Sequence, residues 1–110
     1  MPRDEVRIVT FDEGFAADFA RLNCEWIEEY FVVEQHDRDM LDDPGKYIIE
    51  TGGQIFFALI GAKVAGTVAL ICVDEEQFEL AKMAVSPDLR GMGIGDMLIE
   101  ACIDFARQSD

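Results

Sequence analysis

The feature that most constrains this chain is the passage from Val85 to Asp96, Val-Ser-Pro-Asp-Leu-Arg-Gly-Met-Gly-Ile-Gly-Asp, in which an apolar run passes through three alternate glycines into an amphipathic one. Upstream, Phe78 to Val85 reads as a strand that Ser86-Pro87 stops, because proline supplies no ladder donor. Downstream, Ile94, Leu98, Ala101, Cys102 and Phe105 recur at helical spacing over Ile94 to Gln108, so that segment lays one stripe on a sheet. A strand that turns on glycines into a helix packed back on it commits the chain to layered α/β architecture.

The same passage suggests a ligand. Glycine permits positive φ and carries no Cβ, so consecutive amides can turn inward and an oxygen can approach the backbone itself. The following helix adds unpaired N–H groups and the positive end of its dipole, which suits phosphate or pyrophosphate, and Arg90 is the nearby cation. A dinucleotide fingerprint needs a third glycine where Asp96 stands, and a Walker loop needs Gly-Lys-Ser/Thr, which is absent here. A glycine-rich turn that holds nothing remains the alternative reading.

The rest of the chain supplies the layers. Val6 to Val9 reads as a strand, and Thr10 with Glu13 forms a capping-box pattern ahead of a helix. Phe15, Phe19, Leu22, Trp26 and Tyr30 place one apolar stripe over that helix. After an acidic turn from Glu34 to Asp37, Arg38 to Leu41 makes a short helix that Asp42-Asp43-Pro44-Gly45 ends, with a mobile connection beyond. Gln54 to Ile60 and Val64 to Val73 are β-branched and aromatic runs joined at Gly61-Ala62-Lys63, a hairpin. The expected order is strand, helix, short helix, three strands, helix, within a single domain over residues 1–110, a length that suits one core.

Composition excludes several function classes. Nine Lys and Arg against 23 Asp and Glu give a net charge of −14, which repels nucleic acid; it tolerates or favours a cationic small molecule and otherwise serves solubility. The apolar stretch Val64 to Val73 is far short of the roughly 20 residues that span a bilayer, and Met1 to Glu5 lacks a signal h-region, so no membrane role and a cytoplasmic location are expected. Cys24, Cys72 and Cys102 are widely spaced among apolar neighbours, which predicts reduced thiols. His36, the sole histidine, reads as a loop residue, and with no second imidazole and no Cys-x-x-Cys pair neither a metal site nor a histidine-based nucleophile is expected.

Glu79-Leu80-Ala81-Lys82-Met83-Ala84-Val85-Ser86-Pro87, then Arg90-Gly91-Met92-Gly93-Ile94-Gly95 and Leu98, resemble the strand, pyrophosphate loop and helix of the GNAT acyltransferases. Arg90, Gly93 and Gly95 fill that family's Arg/Gln-x-x-Gly-x-Gly/Ala pattern, and the meander after a helical hairpin follows its order. The resemblance implies a mixed, mostly antiparallel GNAT sheet with helices on both faces, cut short after the loop helix. Full members continue with a further strand, a helix and a closing hairpin, which include the usual general-acid tyrosine; neither Tyr30 nor Tyr47 occupies that place.

The resemblance further implies acetyl-CoA as cosubstrate. Backbone groups of Met83, Ala84 and Val85 would pair with its pantetheine arm, and amides of Gly91, Met92, Gly93, Ile94, Gly95 and Asp96, with Arg90, would hold its pyrophosphate. The chemistry would be acetyl transfer to a primary amine of a small molecule or peptide. An amide of Met83 or a neighbour would stabilise the oxyanion, and Glu79 is the candidate base. Phe31 and Glu34 are expected to contact the acceptor, while Trp26 and Tyr30 line its pocket or belong to the core. The alternatives are a non-catalytic acyl-CoA-binding module and an inactive fragment. An open edge along residues 78–85 would let two copies pair.

Overall fold

The computed structural model describes residues 6–30, 35–75 and 77–108, with the side chains of 26–30 and 35–37 outside that description. Four strands follow one another as a meander: β1 (Val6–Thr10), β2 (Gln54–Ile60), β3 (Lys63–Cys72) and β4 (Phe78–Val85). They lie side by side in chain order and every neighbouring pair is antiparallel. Helices α1 (Ala16–Tyr30) and α2 (Gln35–Asp42) cover one face, and α3 (Ile94–Gln108) covers the other.

Strand alternation explains the two cores. On the α1 face, Ile55, Phe57 and Leu59 of β2 and Ala69 of β3 pack with Phe19 and Leu22 of α1. On the α3 face, Phe56 and Ala58, with Val68 and Leu70, meet Ile94, Leu98 and Cys102. Both faces of β2 and β3 are therefore dry, which is why these two strands read as continuous apolar runs rather than as alternating ones. Phe57 is fully buried and its ring lies 5.0 Å from that of Phe15. On the other face Phe105 meets Phe56 and Phe78 edge-on at 6.1 and 5.9 Å.

Three local expectations are corrected. The helical entry is capped by Asp12, whose carboxylate accepts from the Gly14 amide at 3.0 Å; Thr10 is still in β1, so the capping box does not form. The connection after Asp43 is an ordered π-helical turn, Gly45–Ile49, which drives Ile48 into full burial on the α1 face. Apolar burial there offsets the cost of ordering the segment. His36 sits in α2, not in a loop.

None of the three cysteines is in a disulfide. Cys102 is buried on the sheet-facing side of α3, and desolvation pushes its pKa up to about 11 from 9.0, so it behaves as a small apolar side chain. Among the described residues no helix is long and apolar enough to cross a membrane. Nor does any group of three or more His, Cys, Asp or Glu side chains there stand ready to hold a metal ion.

Candidate active site at the edge of the fourth strand

β4 has β3 on one side and no described strand on the other. Which of its backbone groups are available follows from one hydrogen bond: the Ser86 amide donates to the Ala65 carbonyl of β3 at 2.8 Å. Backbone groups along a strand alternate in direction, so Ala84 points inward with Ser86, whereas the N–H and C=O of Met83 and Val85 point to the open side.

Between Thr67↔Ala84 and Ala69↔Ala81 the register slips: two steps along β3 match three along β4. The extra residue lies at the Lys82–Met83 step, and Lys82 has φ +54°, the sole non-glycine with positive φ among the described residues. A left-handed lysine is held against an intrinsic cost of about 1–2 kcal/mol, and such outliers concentrate at functional sites. The bulge also sets the parity of the strand. Glu79 pairs with Ile71, which packs on the α1 face, and is exposed there; past the bulge Ala84 lies on the α1 face while Met83 and Val85 pack on the α3 face.

Beyond Val85 the chain makes a 3-10 turn, Pro87–Leu89, closed by the Leu89 amide on the Ser86 carbonyl at 2.9 Å. The Ser86 hydroxyl donates to Asp88 Oδ1 at 2.7 Å and Lys63 Nζ reaches Asp88 Oδ2 at 3.5 Å. The serine bond, the backbone and then the lysine charge hold the Asp88 carboxyl below the usual carboxylate range. Arg90 Nε donates to the outward Val85 carbonyl at 3.1 Å. Gly91 and Gly93 then take φ of +84° and +81°, backbone that turns only where no Cβ interferes.

Gly95 departs from the pattern expected of three loop glycines. It is the second residue of α3, and a Cβ there would stand 3.8 Å from the Met83 sulfur. Its place is at the contact of strand and helix. Ile94 is buried, so its side chain belongs to the core and only its backbone is free for a ligand; Met92 is half-buried against the same core, and Asp96 is exposed. A shallow cleft of about 380 Å³ opens at this point, lined by Met83, Ala84, Val85 and Arg90. The structure thus brings the strand candidates Met83, Ala84 and Val85 together with Arg90, while Gly91 to Asp96 follow in the chain outside the lining of this cleft.

The family model for the acetyltransferase (GNAT) family matches residues 20–110. The chain belongs to the GNAT family. Rat N-acetyltransferase 8B is 35% identical to it over 74 residues, a match covering 63% of this chain and 33% of that protein. A crystal structure of an acetyltransferase from Streptococcus agalactiae is 27% identical with a TM-score of 0.80, covering 96% of this chain and 68% of that one. A GNAT acetyltransferase from Brucella melitensis, in complex with acetyl-CoA, shares the fold at 18% identity with a TM-score of 0.78, covering 94% of this chain and 70% of that one. The chain spans about a third of the length of the curated relatives it matches.

Among the acceptor-side candidates, Trp26 and Tyr30 lie in the C-terminal half of α1 with side chains outside the described set, and Phe31 and Glu34 fall outside the described residues altogether. Reading the sequence alone missed Gly66. A Cβ there would meet Ile94 Cγ2 at 3.2 Å and the Ala84 carbonyl at 3.3 Å, so Gly66 is the seat on which the first turn of α3 rests. An isolated glycine inside a strand is the signal that could have found it. Lys82 carried no such signal.

The bulge yields a stability prediction. Lys82→Gly and Lys82→Val both remove the lysine contacts, but only valine keeps the positive-φ strain and adds β-branching. The valine variant should be less stable by about 1–2 kcal/mol in urea unfolding. Equal midpoints for the two would mean that Lys82 is not strained.

Proposed function

We propose that this chain is a GNAT acetyltransferase domain over residues 1–110 that transfers an acetyl group from acetyl-CoA to a primary amine of a small molecule or peptide. The observation that carries the reading is a cleft lined by the edge of β4 and by Arg90, with two positive-φ glycines following within three residues of Arg90 in the chain. The residues suit such a molecule. An arm with amide groups can pair with Met83 and Val85 as an added strand would. A pyrophosphate can lie on amides from Gly91 to Asp96, at a turn whose two positive-φ residues carry no Cβ and at the start of a 15-residue helix. The acetyltransferase relatives and the acetyl-CoA complex of the Brucella neighbour point the same way.

Acetyl-CoA supplies an activated thioester carbonyl, and this chain supplies position and charge. The outward amide of Met83 is our candidate for stabilising the oxyanion, set beside the bulge that frees the strand locally. Glu79, exposed on the α1 face upstream of the bulge, is our candidate base for an alkyl ammonium whose pKa is about 10. Phe31, Glu34, Trp26 and Tyr30 are proposed to line the acceptor side. The net charge of −14 favours a cationic amine over an anionic one.

Calorimetric titration with acetyl-CoA tests the core of the reading. Wild type is expected to bind, and Gly93→Val to lose measurable binding while the rest of the domain stays folded, because a branched side chain cannot hold φ of +81° and the loop must rearrange. No binding by a folded wild-type chain would remove the proposal from this chain.

Thiol release with a panel of amines separates an enzyme from a passive acyl-CoA-binding module. Glu79→Gln is expected to lower turnover about 10²- to 10⁴-fold while acetyl-CoA affinity stays unchanged; an unchanged rate would dismiss Glu79 as the base.

The open edge of β4, with Leu80 exposed beside it, also supports pairing of two copies along residues 78–85. Sedimentation at high concentration should then show a dimer, and a monomer there would refute the pairing.

A further inference from the structure

Of the three residues at the cleft edge, only Met83 and Val85 turn their carbonyls outward, since Ala84 faces β3. Arg90 already bonds one of the two, with Nε 3.1 Å from the Val85 oxygen. Its backbone is extended at φ −70°, ψ 153°, and the next residue turns away at φ +84°. The side chain therefore runs back along the strand while the main chain leaves it. Arg90 is at once a wall of the 380 Å³ cleft and a donor to its edge.

We propose that Arg90 is a latch that makes the cleft selective for phosphorylated thioesters: it occupies the Val85 carbonyl, and an incoming ligand amide gains that acceptor only by displacing it. The inference rests on the acetyl-CoA reading above. A carbonyl oxygen can accept two bonds, but Arg90 also lines the cleft along this edge, so an arm laid on Met83 and Val85 needs the space that its side chain fills and the two compete. A displaced guanidinium stands directly before Gly91 and Gly93, where its planar fork suits phosphate oxygens. A ligand carrying phosphate therefore repays the lost bond with a new one, whereas a ligand without phosphate does not. Occupancy of the strand edge and occupancy of the loop become positively coupled through one side chain. This separates Arg90 from a simple phosphate ligand, whose removal would weaken phosphorylated compounds and leave others untouched.

The test uses acetyl-CoA and S-acetylpantetheine, which shares the thioester arm and lacks phosphate, against the full chain and its Arg90→Ala variant. Arg90 is exposed, and matched melting curves establish that the variant folds. A latch predicts opposite signs: Arg90→Ala binds S-acetylpantetheine about 3- to 10-fold more tightly, the range of one net hydrogen bond, and binds acetyl-CoA more weakly. In wild-type protein the Nε–H resonance of Arg90 should shift as S-acetylpantetheine saturates the site. If Arg90→Ala leaves S-acetylpantetheine affinity unchanged or lowers it, or the Nε–H resonance does not move, the latch is overturned. Binding of neither ligand to wild type would instead defeat the acetyl-CoA reading itself, and the latch with it.

Discussion

The proposed site depends on β4 being held, among the described residues, from one side only. A strand between two neighbours spends every backbone group on the ladder; an edge strand spends alternate ones and leaves the rest to solvent or to a partner. Here the bond from Ser86 to Ala65 decides which are spent, and the outward set at Met83 and Val85 follows from it. Protein edges of this kind are usually blunted by charge or by a bulge. β4 carries both a bulge and Arg90 across its last outward carbonyl, so the exposed ladder is interrupted at two points.

The loop after β4 faces an electrostatic difficulty. A chain with a net charge of −14 offers a poor general field for an anion, yet the glycine turn and the start of α3 make a local one. Screening over about 8–10 Å at ordinary salt lets nearby amide dipoles dominate distant carboxylates. The carboxylate of Asp88 is engaged by the Ser86 hydroxyl and by Lys63 of β3, which ties the turn to the β2–β3 hairpin. Gly66 completes the arrangement by letting Ile94 settle on the sheet, which fixes where α3 begins.

The architecture was legible because its signals are periodic. Phe78–Val85 and Ile94–Gln108 were bounded correctly from apolar spacing and from Ser86-Pro87, and two-sided burial of β2 and β3 matches their unbroken apolar runs. Errors arose where tertiary contact overrode a local rule. Thr10 stayed in β1 because β2 pairs with it through Phe56, leaving the cap to Asp12. Gly45–Ile49 became ordered because Ile48 found a core. Of the site, the glycine turn could be read from the spacing of its glycines between strand and helix, whereas the bulge at Lys82, which depends on register with β3, and the bond from Arg90 to Val85 could not.

The bulge bears on how the strand encodes its position. Phe78 and Leu80 share a side with Met83 and Val85, and Glu79 and Ala81 share the other with Ala84. Striking Lys82 from the string would leave a perfectly alternating heptapeptide, every remaining side chain on the face it occupies now. The hydrophobic message of β4 is thus complete without that residue. Lys82 is an interpolated character that sheet packing neither reads nor misses, so a single-codon deletion could separate the shape of this domain from its chemistry.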